Sequence, residues 1–268
     1  MFYKYHGLGN DFVLFDLIGQ NNKPSKQWLK KYSNRKIGIG FDQALFVLSE
    51  EKGVFNCAVA NADGSWVGQC GNGMRCIADY LMTKRQLNKV VLQTKQAKML
   101  VEKTTDNLYV VNMGKIKKVS NAIAANNILT TPYGEFKAAC WDIGNPHLTL
   151  LVDNMADKAL FNSVGNWCQE QKDLFPAGVN VGFANIINEK SIFLSVFERG
   201  VGLTECCASG ACCAVKALFA WQLLSGDFVK VNFNYGFLLI SLLDNGEVTQ
   251  AGEAACVFEG YLSNLNSF

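Results

Sequence analysis

The strongest constraint on the fold is an internal repeat, because the second half of the chain reproduces the motif order of the first half. CGNGMRCIADYL, which starts at Cys70, is followed 137 positions later by CASGACCAVKAL, which starts at Cys207. Three further pairs keep the same order at offsets of 135 to 137 positions: Asn10 with Asn145, Gln43 with Asn180, and Asn61 with Glu198. Because these offsets are close to half of the 268 residues, we predict two similar domains joined near Met113–Asn121.

Each half combines short apolar stretches with one well-marked helix. Stretches of four to eight residues rich in Val, Phe, Leu and Ile predict strands at Phe12–Phe15, Leu45–Leu48, Phe55–Ala60, Val90–Gln93, Leu148–Val152, Ile192–Phe197 and Leu238–Leu243. Helices are predicted at Met74–Lys84 and Ala211–Leu224, directly after Gly73 and Gly210. The second helix is apolar on almost all sides, which suits a helix surrounded by a sheet.

These elements predict an α+β fold with two pseudo-symmetric domains, each a mixed or antiparallel, barrel-like sheet wrapped around a central helix. We place the first domain at residues 1–115, with Cys70, and the second at residues 116–268, with Cys207. In this division the last residues are free to pack back on the first domain.

Charge and cysteine content narrow the function classes. The 25 basic and 23 acidic residues leave a net charge of only +2, which gives no electrostatic reason to expect a nucleic acid or an anionic membrane as partner. The start of the chain lacks the apolar core of a signal peptide, and no apolar run approaches the roughly 18 residues that cross a bilayer. We therefore expect a cytoplasmic protein, whose ten cysteines are buried side chains, metal ligands or reactive thiols rather than disulfides.

No paired C-x-x-C occurs, so no metal site is predicted, and Cys76 and Cys213 are expected in the core of their domains. Cys57, Cys140, Cys168 and Cys256 are expected to be buried and inert. Cys206 is interpreted either as a neighbour packed beside Cys207 or as its redox partner.

A cysteine and a turn of small residues precede each predicted helix, and this placement suggests acid–base chemistry. Backbone N–H groups at a helix start bind an anion, and the same end of the helix lowers the pKa of a nearby thiol. Two such turns facing each other across a domain interface would offer one thiol to each face of a bound carbon acid. One thiolate would remove a proton and the opposite thiol would return one, which inverts the stereocentre.

The sequence shows no signature of a pyridoxal or metal electron sink, so we predict no cofactor. The developing carbanion must then be stabilised through its carboxylate by preorganised N–H donors in a dry pocket. His147 and Glu198 precede the second cysteine and are placed to tune the thiols or relay protons, and Arg199 is placed to bind a second carboxylate. Neutral amides suited to orienting a zwitterion lie beside strand ends or turns: Asn10, Gln43, Asn61, Asn145 and Asn180.

Seven motifs in one order extend this interpretation to a known family. They are HGLGNDF (His6–Phe12), FDQ (Phe41–Gln43), NADGS (Asn61–Ser65), QCGNGMRC (Gln69–Cys76), GNPH (Gly144–His147), NVGF (Asn180–Phe183) and ERG with CASGAC (Glu198–Cys212). In these motifs the chain resembles the diaminopimelate epimerases over essentially its whole length. That family is cofactor-independent, interconverts LL- and meso-2,6-diaminopimelate for lysine and peptidoglycan synthesis, and is usually a homodimer of two-domain chains.

The resemblance implies a role for each matching residue. Cys70 and Cys207 would be the acid and base thiols, modulated by His147 and Glu198. Substrate contacts would come from Asn10, Gln43, Asn61, Gly71, Asn72, Asn145, Asn180, Glu198, Arg199, Ala208 and Ser209. Departures from the family pattern occur at Leu203, Cys206, Ala208 and Phe258, the last at a position associated with dimer contact.

Two other readings remain open at this point. A proline racemase or a phenazine-type isomerase could share the fold, although the first should lack HGLGNDF and the distal-carboxylate arginine, and the second should lack the two thiols. A non-enzymatic thiol protein that binds metal or senses redox state is the alternative from another class, and metal analysis of the purified protein would separate it.

Overall fold

The computed structural model describes residues 1–20, 23–68, 70–119, 123 and 126–262, and the chain divides into two units. Unit 1 contains Met1–Val111 and the segment that begins at Gly252, whereas unit 2 contains Asn112–Ala251. The division into domains at residues 1–115 and 116–268 stays a prediction. Asn121, at the end of the predicted junction, and Gln69, in the motif before the first repeat helix, lie outside the described residues.

The described residues form four helices and nineteen strands. The helices are α1 (Lys26–Ser33), α2 (Gly71–Arg85), α3 (Lys158–Glu170) and α4 (Ala208–Ala220). The strands up to the second repeat are β1 (Phe2–Gly7), β2 (Asn10–Asp16), β3 (Gln43–Glu51), β4 (Val54–Asn61), β5 (Trp66–Val67), β6 (Lys89–Gln93), β7 (Lys98–Lys103), β8 (Tyr109–Lys115), β9 (Lys117–Lys118) and β10 (Ile128–Thr131). They are followed by β11 (Gly134–Asp142), β12 (Pro146–Leu151), β13 (Asn180–Asn188), β14 (Ser191–Glu198), β15 (Gly202–Thr204), β16 (Val229–Phe233), β17 (Gly236–Leu242), β18 (Glu247–Gly252) and β19 (Ala255–Gly260).

The two units pair their strands in the same pattern. In unit 1, β1–β2 is antiparallel, β2–β3 parallel, β3–β4 antiparallel, β4–β6 parallel and β6–β7 antiparallel. Unit 2 repeats this series with β11–β12, β12–β13, β13–β14, β14–β16 and β16–β17. The sequence repeat is therefore a repeat of topology, and the mixed sheets agree with the predicted α+β class.

Each unit surrounds one helix with strands. Helix α2 packs against β1, β2, β3, β6, β7 and β19, and α4 packs against β11, β12, β13 and β17. Nine of the thirteen residues of α4 are buried, as its apolar composition predicts. The expectation of a central helix in each repeat is therefore confirmed.

The first turns of these helices differ from the prediction. Helices α2 and α4 begin at Gly71 and Ala208, so Gly73 and Gly210 lie inside the helices and not before them. A Cβ on Gly73 would lie 2.7 Å from Cδ2 of the buried Leu45, so a larger residue at this position would force that side chain to shift. The cysteines themselves are the N-cap residues.

The predicted C-terminal ends of three elements, α4, β12 and β17, were wrong. Helix α4 ends at Ala220 and not at Leu224, because Gln222 adopts a left-handed conformation with φ 59° that breaks the helix. Val152 and Leu243 lie just outside β12 and β17. Helices α1 and α3 were not predicted.

The cysteines follow the prediction with one exception. Cys76 and Cys213 are fully buried, and Cys57, Cys140 and Cys168 are buried in their sheets or beneath them. Cys256 is exposed on β19, so its predicted burial was wrong. Among the described residues, no three His, Cys, Asp or Glu side chains converge as metal ligands would, and no helix is long and apolar enough to cross a bilayer.

Candidate active site

Strand direction brings the polar residues of unit 1 to one edge of its sheet. Asn10 and Gln43 are the first residues of the parallel strands β2 and β3, and Asn61 is the last residue of β4, which runs antiparallel to β3. Parallel neighbours start at the same edge of a sheet, and an antiparallel neighbour ends at that edge. Gln43 and Asn61 are in fact direct cross-strand partners.

A chain of amide hydrogen bonds fixes the orientation of these two side chains. Gln43 Nε2 donates to Asn61 Oδ1 at 2.9 Å, and Asn61 Nδ2 donates to Ser65 Oγ at 3.0 Å. With its amino group engaged, Gln43 keeps its Oε1 buried and without a hydrogen-bond donor among the described residues. A buried acceptor without a donor is costly, so this oxygen is suited to a donor group on a ligand.

The thiol of Cys70 lies at the start of the central helix of unit 1. Its Sγ accepts a hydrogen bond from the N–H of Gly73 at 3.4 Å, which makes the half-buried Cys70 the N-cap of α2. Gly71 and Asn72 are the first two residues of that helix. The thiol and the predicted anion cradle therefore occupy the positive end of the helix dipole.

Asn10 is oriented by a residue outside the predicted set. Its Nδ2 donates to Asp42 Oδ2 at 3.0 Å, and among the described residues it forms no side-chain hydrogen bond with another predicted site residue of unit 1.

Unit 2 places its polar residues by the same strand geometry. Asn145 directly precedes β12, Asn180 begins the parallel strand β13, and Glu198 ends the antiparallel strand β14. His147 lies opposite Asn180 in the register of β12 and β13. These four residues therefore lie at one edge of the sheet of unit 2, next to the start of α4.

His147 is buried, and one of its ring nitrogens faces the space beside Cys207. Its Nε2 lies 3.2 Å from Asn145 Oδ1, an acceptor, so the proton is placed on Nε2 and Nδ1 keeps a lone pair. A Cβ on Gly210 would lie 3.4 Å from both His147 Nδ1 and Cys207 Sγ, so the imidazole and the thiol border one small space. Nδ1 has no hydrogen-bond partner among the described residues. Burial lowers the pKa of His147 to about 3, so the ring is a neutral acceptor near neutral pH.

Asn180 and Arg199 are brought together by a backbone hydrogen bond. The N–H of Arg199 donates to Asn180 Oδ1 at 2.9 Å, and the guanidinium group donates to the carbonyl of Ala177. The next residue, Gly178, has φ +71°, and a Cβ there would lie 2.5 Å from Arg199 Cδ. Glycine at this position therefore leaves room for the arginine side chain, whose end is exposed.

Glu198 and Cys207 interact through charge. Glu198 Oε1 accepts a hydrogen bond from Thr204 Oγ1 at 2.7 Å, which holds the carboxylate at the end of β14. Burial, and then the negative charge of Glu198, raise the pKa of the Cys207 thiol well above its ordinary value, while a hydrogen bond with Ser209 acts in the opposite direction. The lowered pKa expected for a thiol at a helix start was therefore wrong for Cys207. Cys207 is the N-cap of α4, and Ala208 and Ser209 are the first two residues of that helix.

The family model of diaminopimelate epimerase matches residues 2–119 and 139–257, which is most of the chain and includes every predicted site residue. The chain belongs to the diaminopimelate epimerase family.

Relatives and solved structures agree with this assignment. The diaminopimelate epimerase of Neisseria meningitidis serogroup A is 38% identical over 98% of this chain and 98% of its own length. That of Buchnera aphidicola subsp. Acyrthosiphon pisum is 37% identical over 97% of this chain and 95% of its own. A predicted epimerase from Pseudomonas aeruginosa shares the fold, with a TM-score of 0.72 at 12% identity over 98% of this chain and 99% of that chain.

Family membership decides between the alternatives left by the sequence. The diaminopimelate epimerases are cofactor-independent isomerases of lysine biosynthesis, so the epimerase hypothesis is confirmed as the family and reaction class. The non-enzymatic hypothesis is set aside because the family consists of isomerases. The proline racemase and phenazine-type hypotheses are set aside because the chain is 38% and 37% identical to diaminopimelate epimerases but only 13% and 14% identical to solved structures of those two kinds.

Supporting residues near the site were missed by the sequence analysis. Ser65 orients Asn61, Thr204 orients Glu198, and Asp42 orients Asn10. Ser65 and Asp42 lie inside the motifs NADGS and FDQ, so their place in these motifs could have identified them as site residues. Leu203, a departure from the family pattern, faces Phe197 across β14 and β15 and packs against the core of unit 2.

The charge of Glu198 should be visible in the reactivity of Cys207. Glu198→Gln removes the carboxylate charge, so the pKa of Cys207 should fall toward its ordinary value, although burial keeps it raised. Alkylation of Cys207 by iodoacetamide, followed by peptide mass spectrometry from neutral to alkaline pH without substrate, should shift its midpoint to lower pH.

Glu189→Gln is the matched control, because Glu189 is an exposed carboxylate in the turn between β13 and β14. This control should leave the alkylation profile of Cys207 in place. An unchanged profile in Glu198→Gln, or a shift to higher pH, would contradict the charge effect.

Proposed function

We propose that this chain interconverts LL- and meso-2,6-diaminopimelate, with Cys70 and Cys207 as the acid and base. One observation carries the proposal: in each unit a cysteine is the N-cap residue of the central helix, at positions 137 residues apart, beside the sheet edge that holds the polar amides. A two-base inversion uses one acid–base group on each face of the reacting carbon, and the duplicated cysteine at the helix start supplies such a pair.

The proton balance of this reaction is closed without an external reagent. One cysteine begins as the thiolate and takes the proton from Cα, while the electron pair of the C–H bond moves into the α-carboxylate. The other cysteine, as the thiol, gives its proton to the opposite face of Cα. After one turnover the two cysteines have exchanged protonation states, and no group has been oxidised or reduced.

The remaining roles follow from the chemistry of each side chain. N–H groups at the starts of α2 and α4 are suited to the α-carboxylate, where negative charge accumulates. These are the amides around Gly71, Asn72, Ala208 and Ser209. The neutral amides orient the zwitterion. Arg199 binds the distal carboxylate, and Glu198 binds the distal ammonium. His147 and Glu198 also act on the Cys207 thiol. The neutral amides are Asn10, Gln43, Asn61, Asn145 and Asn180.

Incubation of the purified protein with LL-diaminopimelate in deuterated water tests the proposal. Solvent deuterium should enter the α position while the meso isomer appears, as followed by mass spectrometry and chiral chromatography. L-Proline, treated in parallel, should take up none. Label in proline but not in diaminopimelate, or in neither, would overturn the proposed substrate.

We also propose a cytoplasmic homodimer. All ten cysteines are in the thiol form, which suits a reducing compartment. Strand β19 pairs with β1 in unit 1 and exposes Val257 by 57% and Phe258 by 48%, an apolar surface suited to a second copy. Sedimentation velocity measures the assembly directly, and a monomer at micromolar concentration would contradict the dimer.

A further inference from the structure

Four charged residues of unit 1 form a network beside Asn10 that the proposed reaction does not use. Lys4 lies on β1, Asp11 on β2, Arg35 after α1, and Asp42 directly before β3. Two positive and two negative side chains make this network, called here the Asp11–Asp42 network, electrically balanced. Asp11 and Asp42 belong to the HGLGNDF and FDQ motifs, so the network explains parts of both motifs that substrate contact leaves unexplained.

Arg35 is the residue that joins the two carboxylates. Its Nη1 and Nη2 donate to Asp11 Oδ2 and Oδ1 at 2.7 and 2.8 Å, and Nη2 also donates to Asp42 Oδ1 at 2.7 Å. Lys4 Nζ donates to Asp11 Oδ2 at 2.5 Å and to the carbonyl of Gly40. Although burial acts in the opposite direction, the hydrogen bonds from Arg35 and Lys4 hold the pKa of Asp11 well below its usual range.

Asp42, which is held by Arg35, in turn orients the side-chain amide of Asn10. Its Oδ1 is held by Arg35, which leaves Oδ2 to accept from Asn10 Nδ2 at 3.0 Å and from the N–H of Asp11 at 3.1 Å. An asparagine amide has two orientations of nearly equal shape, and a carboxylate, which only accepts, selects the one with the amino group toward it. Asn10 Oδ1 therefore points away from Asp42 and accepts no hydrogen bond from a side chain in the described part of the chain.

We propose that Arg35 and Asp42 are positioning residues for the epimerisation, which hold the Asn10 amide so that its Oδ1 faces the substrate as an acceptor for an ammonium group. This inference rests on the proposed function of the chain. Although Arg35 is 59% exposed, its partner Asp11 is only 16% exposed, so the test has to separate the orientation of Asn10 from an effect on folding.

A double-mutant cycle between Arg35 and Asn10 tests the inference. Arg35→Met should lower kcat/KM for LL-diaminopimelate about tenfold, the size of one misdirected hydrogen bond, in protein whose fold is checked by circular dichroism. In the Asn10→Ala background the same substitution should change kcat/KM by less than about twofold, because the residue through which it acts is absent. Asp42→Asn, which keeps the shape, should behave in the same way and serves if Arg35→Met folds poorly.

Arg85→Met is the matched control, since Arg85 forms an exposed ion pair with Glu50 at the far end of α2 and should leave kcat/KM unchanged. Equal losses in the wild-type and Asn10→Ala backgrounds, or no loss in either, would overturn the positioning role while leaving the proposed function standing. A wild-type protein that does not act on diaminopimelate would overturn both.

Discussion

Alanine in place of Cys70 should lower the rate of diaminopimelate inversion by about 10²- to 10⁴-fold, and alanine in place of Cys207 should have the same effect. Each thiol is proposed to serve one face of Cα, and loss of a positioned acid or base costs a factor of this size. The fold should survive, because Cys70 contributes one cap hydrogen bond to α2 and Cys207 is a small buried side chain. The N-cap contribution is only about 1 kcal/mol.

Deuterium exchange distinguishes the roles of the two thiols, whereas the rate of inversion should fall in both variants. Each single variant keeps one base, so it should still exchange the α-hydrogen of one stereoisomer with solvent deuterium while producing almost none of the other isomer. Chiral chromatography combined with mass spectrometry measures both quantities in one reaction. Inversion near the wild-type rate in either variant would refute the two-thiol scheme.

Cys256→Ala provides the control for cysteine substitution as such. Cys256 is exposed on β19 and has no role in the proposed reaction, so this variant should invert diaminopimelate at the wild-type rate. Circular dichroism and thermal unfolding of all three variants check that lost activity does not reflect lost structure.

The repeat was predictable from sequence because residues at equivalent places carry equivalent side chains. The offset of 137 positions between Cys70 and Cys207 reappears as the offset between the starts of α2 and α4. It also separates Gln43 from Asn180, the first residues of β3 and β13. The central strands were predictable for a different reason: they are buried, so their sequences are continuous stretches of Val, Phe and Leu.

The ends of elements were less predictable because they depend on local conformation. Gln222 adopts positive φ without being glycine, so nothing in the sequence marks the end of α4 before Leu223 and Leu224. Gly71 and Gly73 favour a loop in the sequence, although α2 already begins at Gly71 and is capped by the thiol of Cys70. Helix α3 was missed although Phe161, Val164, Gly165 and Cys168 are buried at helical spacing and Asp157 caps it.

Motif matching found the candidate substrate contacts but not the groups that orient them. The pairs Gln43–Asn61 and Asn145–His147 join residues that the sequence had singled out separately. Arg35 lies outside every quoted motif, in a loop after a short helix, and only the fold brings it to Asp11 and Asp42. The partners of Arg35 lie 7 and 24 positions away, and Arg35 itself lies in no helix or strand, so its role could not be inferred from a helix or strand pattern in the sequence.

Methionine in place of Arg199 should raise the KM for diaminopimelate about 100-fold and leave kcat within about threefold. A charged hydrogen bond to a carboxylate contributes about 1.5–3 kcal/mol, and a group that binds the unreacting end of the substrate stabilises ground state and transition state alike. Asn180 and Ala177 fix Arg199 from two sides, so the guanidinium group is preorganised for that contact.

Lysine is the matched probe, because it has both amino groups at the same spacing but lacks the distal carboxylate. The wild-type protein should exchange the α-hydrogen of diaminopimelate far faster than that of lysine, and Arg199→Met should reduce this preference about 100-fold by losing activity on diaminopimelate alone. Gly178→Ala, which keeps the guanidinium group but places a Cβ 2.5 Å from Arg199 Cδ, should reduce the preference in the same direction. If Arg199→Met lost activity equally on both compounds, Arg199 would act on the reacting end of the substrate or on the fold, and recognition of the distal carboxylate would have to come from other residues.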